Sequence, residues 1–103
     1  MAATSVKEIV VRIDDDKGPI VRPVIVTLLN GERVSLVNKT RAGIRVFVPR
    51  LGMDFPVAAG ATNPDLDARL AGLPSGRHRF AVYCDEVDDF AEGASSPEII
   101  IKP

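Results

Sequence analysis

The single cysteine of this chain, Cys84, is followed at once by a run of acidic side chains. Five of the next eight residues carry carboxylates, and none of the eight is basic. The five are Asp85, Glu86, Asp88, Asp89 and Glu92. A thiolate and carboxylates together can ligate a metal ion. If the chain binds a metal, the expected ligands are Cys84, Asp85, Asp88 and Glu92. Negative surroundings disfavour a thiolate, so the favoured interpretation of Cys84 is a buried, small apolar side chain.

The other residues whose side chains could take part in catalysis do not combine into a catalytic site. His78 has no serine, cysteine or acid at a spacing that suggests a triad, so a structural role is expected. The acidic triplet at 14–16 is typical of a charged turn. Asp65 and Asp67 lie in a loop rather than a recognisable cleft, which does not support a glycosidase. The acidic run after Cys84 lacks the alternating ligands and central glycine of an EF-hand loop. We therefore expect no enzymatic activity and no catalytic residues.

Composition excludes several classes of partner. The chain has 103 residues, of which 46% are hydrophobic and 26% charged, and its formal net charge is −1. This length predicts one domain over residues 1–103, with a single core. A nearly neutral chain has no global basic field for a nucleic acid or an anionic membrane. One cysteine cannot form an internal disulfide. A protein is the expected partner.

No segment is apolar enough to insert into a membrane. The longest apolar run, from Val24 to Leu29, is far shorter than the ~20 residues that a membrane helix needs. Charged residues interrupt the first 13 positions, so no secretory signal is expected there. The chain is expected to be soluble, and cytoplasmic unless a signal peptide has been removed from an exported precursor.

Short β-rich segments separated by turn residues predict an all-β, Greek-key sandwich of about seven strands. The segments are 6–13, 20–29, 32–38, 44–48, 55–57, 77–84 and 98–102, with 66–70 as a further short strand unless 65–73 forms a helical turn. Pro23 predicts an edge position or a bulge in the second segment. The pair Asn30-Gly31 predicts a two-residue hairpin between the second and third segments.

The segment from Arg77 to Cys84 has the most regular alternation. Because neighbouring strand residues point to opposite faces, one face carries His78, Phe80, Val82 and Cys84. The other face carries Arg77, Arg79, Ala81 and Tyr83. The first of these faces is expected to point into the core.

The order of these pieces resembles the cupredoxin fold from about Val6 to Ile101. The pieces are a glycine before a strand ending in asparagine (Gly31 to Asn38), a loop and a strand (Ile44 to Val48), an apolar-x-Ala-Gly-x-Thr segment (Val57 to Thr62), and a Leu-Pro-x-Gly turn feeding a strand that ends in Tyr83-Cys84. In copper-binding members of that family the metal lies at one pole, between two loops. The resemblance therefore implies that the loop 39–43 and the loop 85–92 meet at one pole.

The resemblance also implies that most copper ligands are absent. Ile44 stands where the first histidine of the family would be, Val87 where the second would be, and Glu92 near the methionine. Only Cys84 matches, and a blue-copper centre needs two imidazoles and a thiolate. We expect no cofactor, and an apolar plug of Ile44 and Val87 near Cys84.

Charge adds an expectation about the same pole. From Arg33 to Arg50, with both of these residues counted, there are five cationic side chains and no acidic one. With the loop arrangement of cupredoxins, ion pairs are expected to join Arg41 or Arg45 to Asp88 or Asp89. These four residues form the expected interaction pole.

The C-terminal third also resembles fibronectin type III and bacterial Ig-like domains. The shared residues are Leu70-x-Gly72-Leu73-Pro74-x-Gly76 and Gly93-x-Ser95-Ser96-Pro97, although the tryptophan typical of those domains is missing.

Three functions follow as hypotheses. The leading one is a copper-free, cupredoxin-like binding or accessory module that acts through its charged pole or an edge strand. The alternatives are a metal-binding or electron-transfer protein that uses Cys84 and nearby carboxylates, with copper or another metal ion, and an Ig-like interaction domain of a larger protein.

Overall fold

The computed structural model describes residues 6–29, 32–63, 74–91 and 97–102, and this part of the chain is all β apart from one short 3₁₀ helix. The strands are β1 (Val6–Asp14), β2 (Gly18–Arg22), β3 (Ile25–Leu28), β4 (Arg33–Asn38), β5 (Ile44–Val48), β6 (Met53–Val57), β7 (Thr62–Asn63), β8 (Gly76–Arg79), β9 (Ala81–Cys84), β10 (Asp89–Phe90) and β11 (Glu98–Ile101). The 3₁₀ helix is Pro49–Leu51. The predicted all-β class is confirmed. The predictions for 66–70 and 65–73 lie outside the described residues.

The strands form three sheets. The first has the order β2-β1-β4-β7, the second β10-β9-β5-β6, and the third β3-β11-β8. Most neighbours are antiparallel, but β1 runs parallel to β4 and β3 runs parallel to β11. The second and third sheets continue into one another along the chain, because β8 and β9 are separated by Phe80 alone.

One hydrophobic cluster connects the inner faces of all three sheets. Fully buried contributors include Ile9 and Leu36 from the first sheet, Val46 and Val82 from the second, and Ile99 from the third. In β5 and β9 the buried residues alternate with more exposed ones, as the two-residue period of a strand predicts, whereas β4 is buried at three successive residues, Val34 to Leu36. Because all three sheets face this cluster, the arrangement is compatible with a β-sandwich. Burying such side chains is the main favourable contribution to folding.

The predicted second strand is divided at Pro23. β2 ends at Arg22 at the edge of the first sheet, and β3 begins at Ile25 at the edge of the third sheet. The edge position expected for Pro23 fits, because proline cannot donate to a strand ladder. The turn predicted at Asn30-Gly31 falls on residues outside the described part. The backbone N–H of Glu32 donates to the Leu29 carbonyl at 3.0 Å, but the flanking strands β3 and β4 belong to different sheets and do not pair with each other.

The predicted strand from Arg77 to Cys84 is also divided, although its two faces are as expected. His78, Phe80, Val82 and Cys84 are all buried, with exposed fractions of 3% or less, whereas Arg77 and Arg79 are exposed. The division occurs at Phe80, whose backbone N–H donates to the Pro97 carbonyl at 3.0 Å. This contact directs β8 into the third sheet and β9 into the second. Divisions of this kind, with the short strands β7 and β10, give more strands than the expected seven.

Candidate functional site

Two loops meet at one end of the molecule, as the sequence predicted. The backbone N–H of Arg41 donates to Oε1 of Glu86 at 2.6 Å, and the backbone N–H of Asp85 donates to the Gly43 carbonyl at 3.1 Å. A Cβ atom at Gly43 would lie 3.4 Å from Oδ2 of Asp85, at van der Waals contact, so this loop lies directly against the acidic turn. We call residues 39–43 and 85–89 the pole.

Asn38 holds the first of these loops in place from within the core. The side chain is fully buried at the end of β4. Its Nδ2 lies 2.9 Å from the Ala42 carbonyl, 3.1 Å from that of Val57 and 3.2 Å from that of Ala58. Its Oδ1 accepts from the backbone N–H of Thr40 at 2.9 Å and lies 2.7 Å from the Thr40 hydroxyl. One amide therefore joins the loop to the end of β6, a role that local sequence patterns do not reveal.

Cys84 is sealed beneath the pole. It has no exposed surface, and its register partner on β5 is Ile44. Burial raises the pKa of the thiol from its ordinary 9.0 to about 11, and the charges of Glu86, Asp85 and Asp89 act in the same direction. Both effects disfavour the thiolate, which is the form that binds metals and attacks electrophiles. The expectation of a buried, apolar cysteine agrees with this environment.

The possible metal ligands are not brought together in the described residues. Asp85 and Asp88 have exposed side chains, whereas Cys84 is buried, and Glu92 lies outside the described part. No group of three histidine, cysteine, aspartate or glutamate side chains in that part is placed to hold a metal ion. Asp88 instead has a turn role, with a left-handed φ of 52° between β9 and β10. Aspartate tolerates this conformation better than most residues.

The expected plug and ion pairs need correction. Ile44 does lie beside Cys84, but Val87 is 39% exposed in the turn and does not contribute to a plug. The ion pairs among the described residues lie elsewhere, and none joins Arg41 or Arg45 to Asp88 or Asp89. The four-residue turn carries its side chains outward, so the acids remain exposed. The loops are instead linked by a backbone N–H of Arg41 and the carboxylate of Glu86.

An aromatic cluster lies next to the pole on the outer face of the second sheet. The ring centroids of Tyr83 and Phe90 are 5.2 Å apart in a T-shaped arrangement, and those of Phe47 and Phe90 are 6.1 Å apart. Phe90 is 43% exposed. The outward position of Tyr83 follows from strand alternation, but its contact with Phe90 depends on the pairing of β9 with β10. The sequence patterns do not predict this cluster.

The other sequence candidates have structural contacts. The carboxylate of Asp14 accepts from the backbone N–H groups of Asp16 and Lys17 at 2.9 and 3.0 Å, which lowers its pKa below the ordinary 3.8. This is the charged turn that the acidic triplet predicted. His78 lies on the third sheet, where its Nε2 is 2.6 Å from the Pro74 carbonyl. Asp65 and Asp67 lie outside the described residues.

No protein-family model matches the chain, and no curated protein is significantly similar to it. Among the described residues, no helix has the length and apolar character required to cross a membrane.

Proposed function

We propose that this chain is a non-enzymatic binding module with a cupredoxin-like, Greek-key architecture and no blue-copper centre. Two parallel strand pairs support this architecture, β1 with β4 and β3 with β11. The sheets of Ig-like domains are built from antiparallel neighbours, so these pairs favour the cupredoxin-like alternative. The contact between the two pole loops supports it further, because the resemblance requires those loops to meet.

The donor set argues against blue copper. Such a centre requires two imidazoles around a thiolate, and the chain has one histidine in total. That histidine, His78, lies six residues before Cys84, on a different sheet. The register partners of Cys84 are Ile44, which has no lone pair to donate, and Asp89, which carries a carboxylate and not an imidazole. The chemistry of the pole therefore favours binding to another molecule over electron transfer.

The observation that carries the proposed binding role is the exposure of Val87 in the acidic turn and of Phe90 in the adjoining β10. These apolar side chains are 39% and 43% exposed, and four exposed carboxylates surround them in sequence: Asp85, Glu86, Asp88 and Asp89. Protein interfaces combine an apolar, often aromatic, centre with a polar rim. The matching partner is a protein with a cationic surface and an apolar contact at its centre.

The edge of β3 fits this role less well than the pole. Edge strands bind extended peptides through free backbone groups. On β3, however, the ammonium group of Lys7 already donates to the Thr27 carbonyl. The same ammonium group lies 3.4 Å from the carboxylate of Glu32. Because Lys7 lies on β1 of the first sheet, a side chain from another sheet partly covers this edge, and covered edges are protected against further strand pairing.

Comparative capture followed by reconstitution tests the pole and the adjoining Phe90 as one interface. Extracts of the native organism would be passed over the wild-type chain, Phe90→Ser and the control Ile25→Ser, which changes a 50% exposed residue on β3. A specific partner is retained by the wild type and by Ile25→Ser but not by Phe90→Ser. The purified partner should then bind Phe90→Ser at least tenfold more weakly than wild type, as expected for a central aromatic contact.

Further measurements make this result decisive. Circular dichroism should show that both variants are folded, and Val87→Ser provides a milder change at the same surface. Binding should weaken as salt is added, because exposed charges are screened. The proposal is wrong if Phe90→Ser and Val87→Ser keep every captured protein, or if Ile25→Ser loses the same protein to the same extent.

A further inference from the structure

A cationic surface lies at the end of β5 that is farther from the pole. Pro49 and Arg50 follow β5, Arg77 and Arg79 lie on β8, and all four residues line one surface cavity of about 490 Å³. Strand alternation directs Arg77 and Arg79 to the outer face, where their side chains are 68% and 77% exposed. Pro49 and Arg50 are exposed as well. We call these four residues the arginine end.

The positive charge of the arginine end is only partly neutralised. Glu98 on β11 lies 3.2 Å from Nε of Arg77 and 3.9 Å from Nε of Arg79. Arg50 takes part in no ion pair among the described residues. Three arginines and one glutamate leave a formal charge of +2. The ring of Pro49 and the methylene stems of the arginines supply apolar surface between these charges.

The acidic turn has the complementary composition. Residues 85–90 carry four exposed carboxylates and no base. In the part of the chain that the structure describes, none of the four belongs to an ion pair. Val87 and Phe90 supply exposed apolar surface beside them. Each surface therefore offers the opposite charge and an apolar contact to the other.

The acidic turn and the arginine end lie at opposite ends of one strand pair. β5 and β9 are antiparallel, with the turn following Cys84 at one end and the arginine end lying beyond Phe47 and Ala81 at the other. Ile44 and Pro49 are five residues apart, which is roughly 16 Å along a strand. An ion pair requires about 4 Å between its charged atoms. The turn of one molecule can therefore contact the arginine end of another molecule but not its own.

We propose that the chain binds a second copy of itself head to tail, with the acidic turn of one molecule on the arginine end of the next. This inference rests on the proposed function, since it names the protein that binds the pole. Guanidinium groups pair with carboxylates and stack on aromatic rings, so the three arginines can bind both the acids and Phe90. The cavity is large enough for the ring of Phe90, because cavities of this size hold drug-sized ligands. A contact between two different surfaces forms a ring if it closes and an open chain if it does not.

Sedimentation velocity of the purified chain, from about 10 μM to 1 mM, tests this self-association over the range of weak interfaces. The wild type should form larger assemblies as its concentration rises, and added salt should reverse them. Phe90→Ser and Arg50→Glu should each weaken the association at least tenfold, and Val87→Ser provides a milder change in the turn. Lys102→Glu is the matched control, because it reverses an exposed cation next to β11 that does not line the cavity. It should associate like the wild type.

A mixture of two variants tests the head-to-tail arrangement. Phe90→Ser keeps its arginine end and Arg50→Glu keeps its acidic turn, so together they should form a one-to-one complex that neither forms alone. No complex in the mixture, or equal weakening by Lys102→Glu and Arg50→Glu, would overturn the arrangement. A wild type that stays monomeric at about 1 mM would overturn self-binding. The proposed function fails separately, if Phe90→Ser and Val87→Ser retain every captured protein.

Discussion

Cys84 should react with a soluble thiol reagent far more slowly in the native protein than in the unfolded chain. Its pKa rises from 9.0 to about 11 through burial and the neighbouring carboxylates. At pH 8 this change lowers the thiolate fraction from about one in ten to about one in a thousand. The reagent also has no direct access, because the residue has no exposed surface. We therefore expect labelling at least about a hundredfold slower in the native state.

The assay is a time course with a chromogenic disulfide reagent at pH 8, recorded in buffer and in concentrated urea. Cys84→Ser gives the blank, since the chain contains no other cysteine. The native rate should keep rising with pH up to about pH 11, where half of the thiol is ionised. A native rate within a few-fold of the rate in urea would refute the burial of Cys84 and the account of the pole built on it.

Three further predictions concern stability, metal binding and titration. Asn38→Ala removes a buried amide and leaves its partner groups without bonds, so it should lower the free energy of unfolding by about 2–4 kcal/mol in urea denaturation, whereas the exposed Lys39→Ala should cost less than about 0.5 kcal/mol. A similar loss in both variants would contradict the network. The protein loaded with Cu(II) should show no intense visible thiolate band, and stoichiometric metal that is lost in Cys84→Ala would favour the metal-binding alternative. The carboxyl of Asp14 should titrate below 3.8 by NMR, so its turn contacts should weaken only as the pH falls through that lowered pKa; a midpoint at or above 3.8 would show that these contacts are absent.

Strand faces were predictable because they depend on local alternation, whereas sheet membership was not. The buried face of the segment from Arg77 to Cys84 follows from the two-residue period alone. The division of that segment at Phe80 depends on a hydrogen bond to Pro97, which is far away in sequence. Asn30-Gly31 has the local signature of a hairpin, but β3 pairs with β11 and β4 pairs with β1. The bond from Glu32 to the Leu29 carbonyl is that of a tight turn, but long-range pairing places the two strands in different sheets.

The site was predictable only to the level of which loops meet. The resemblance implied that the loops 39–43 and 85–92 meet, which agrees with the contact of Arg41 with Glu86, whereas strand alternation and the acidic neighbours predicted the burial of Cys84. The resemblance misplaced Val87, because matching a residue to a ligand position by its order along the chain does not determine where its side chain points. The charge pattern predicted a contact of Arg41 with the acidic loop. The contact with Glu86 is made by the backbone N–H of Arg41, and every residue except proline has such a group, so the sequence does not predict it. The amide of Asn38 was missed for the same reason, since most of its partners are backbone carbonyls.

The buried amide of Asn38 also limits how this chain can be produced. Asn38-Lys39-Thr40 matches the acceptor sequence for N-linked glycans. In the folded protein, the nitrogen that would carry the sugar faces three carbonyls inside the molecule. Attachment of a glycan during synthesis would prevent that nitrogen from entering the core. A host that glycosylates secreted proteins should therefore yield two separate products, an unmodified folded chain and a glycosylated chain whose pole cannot close.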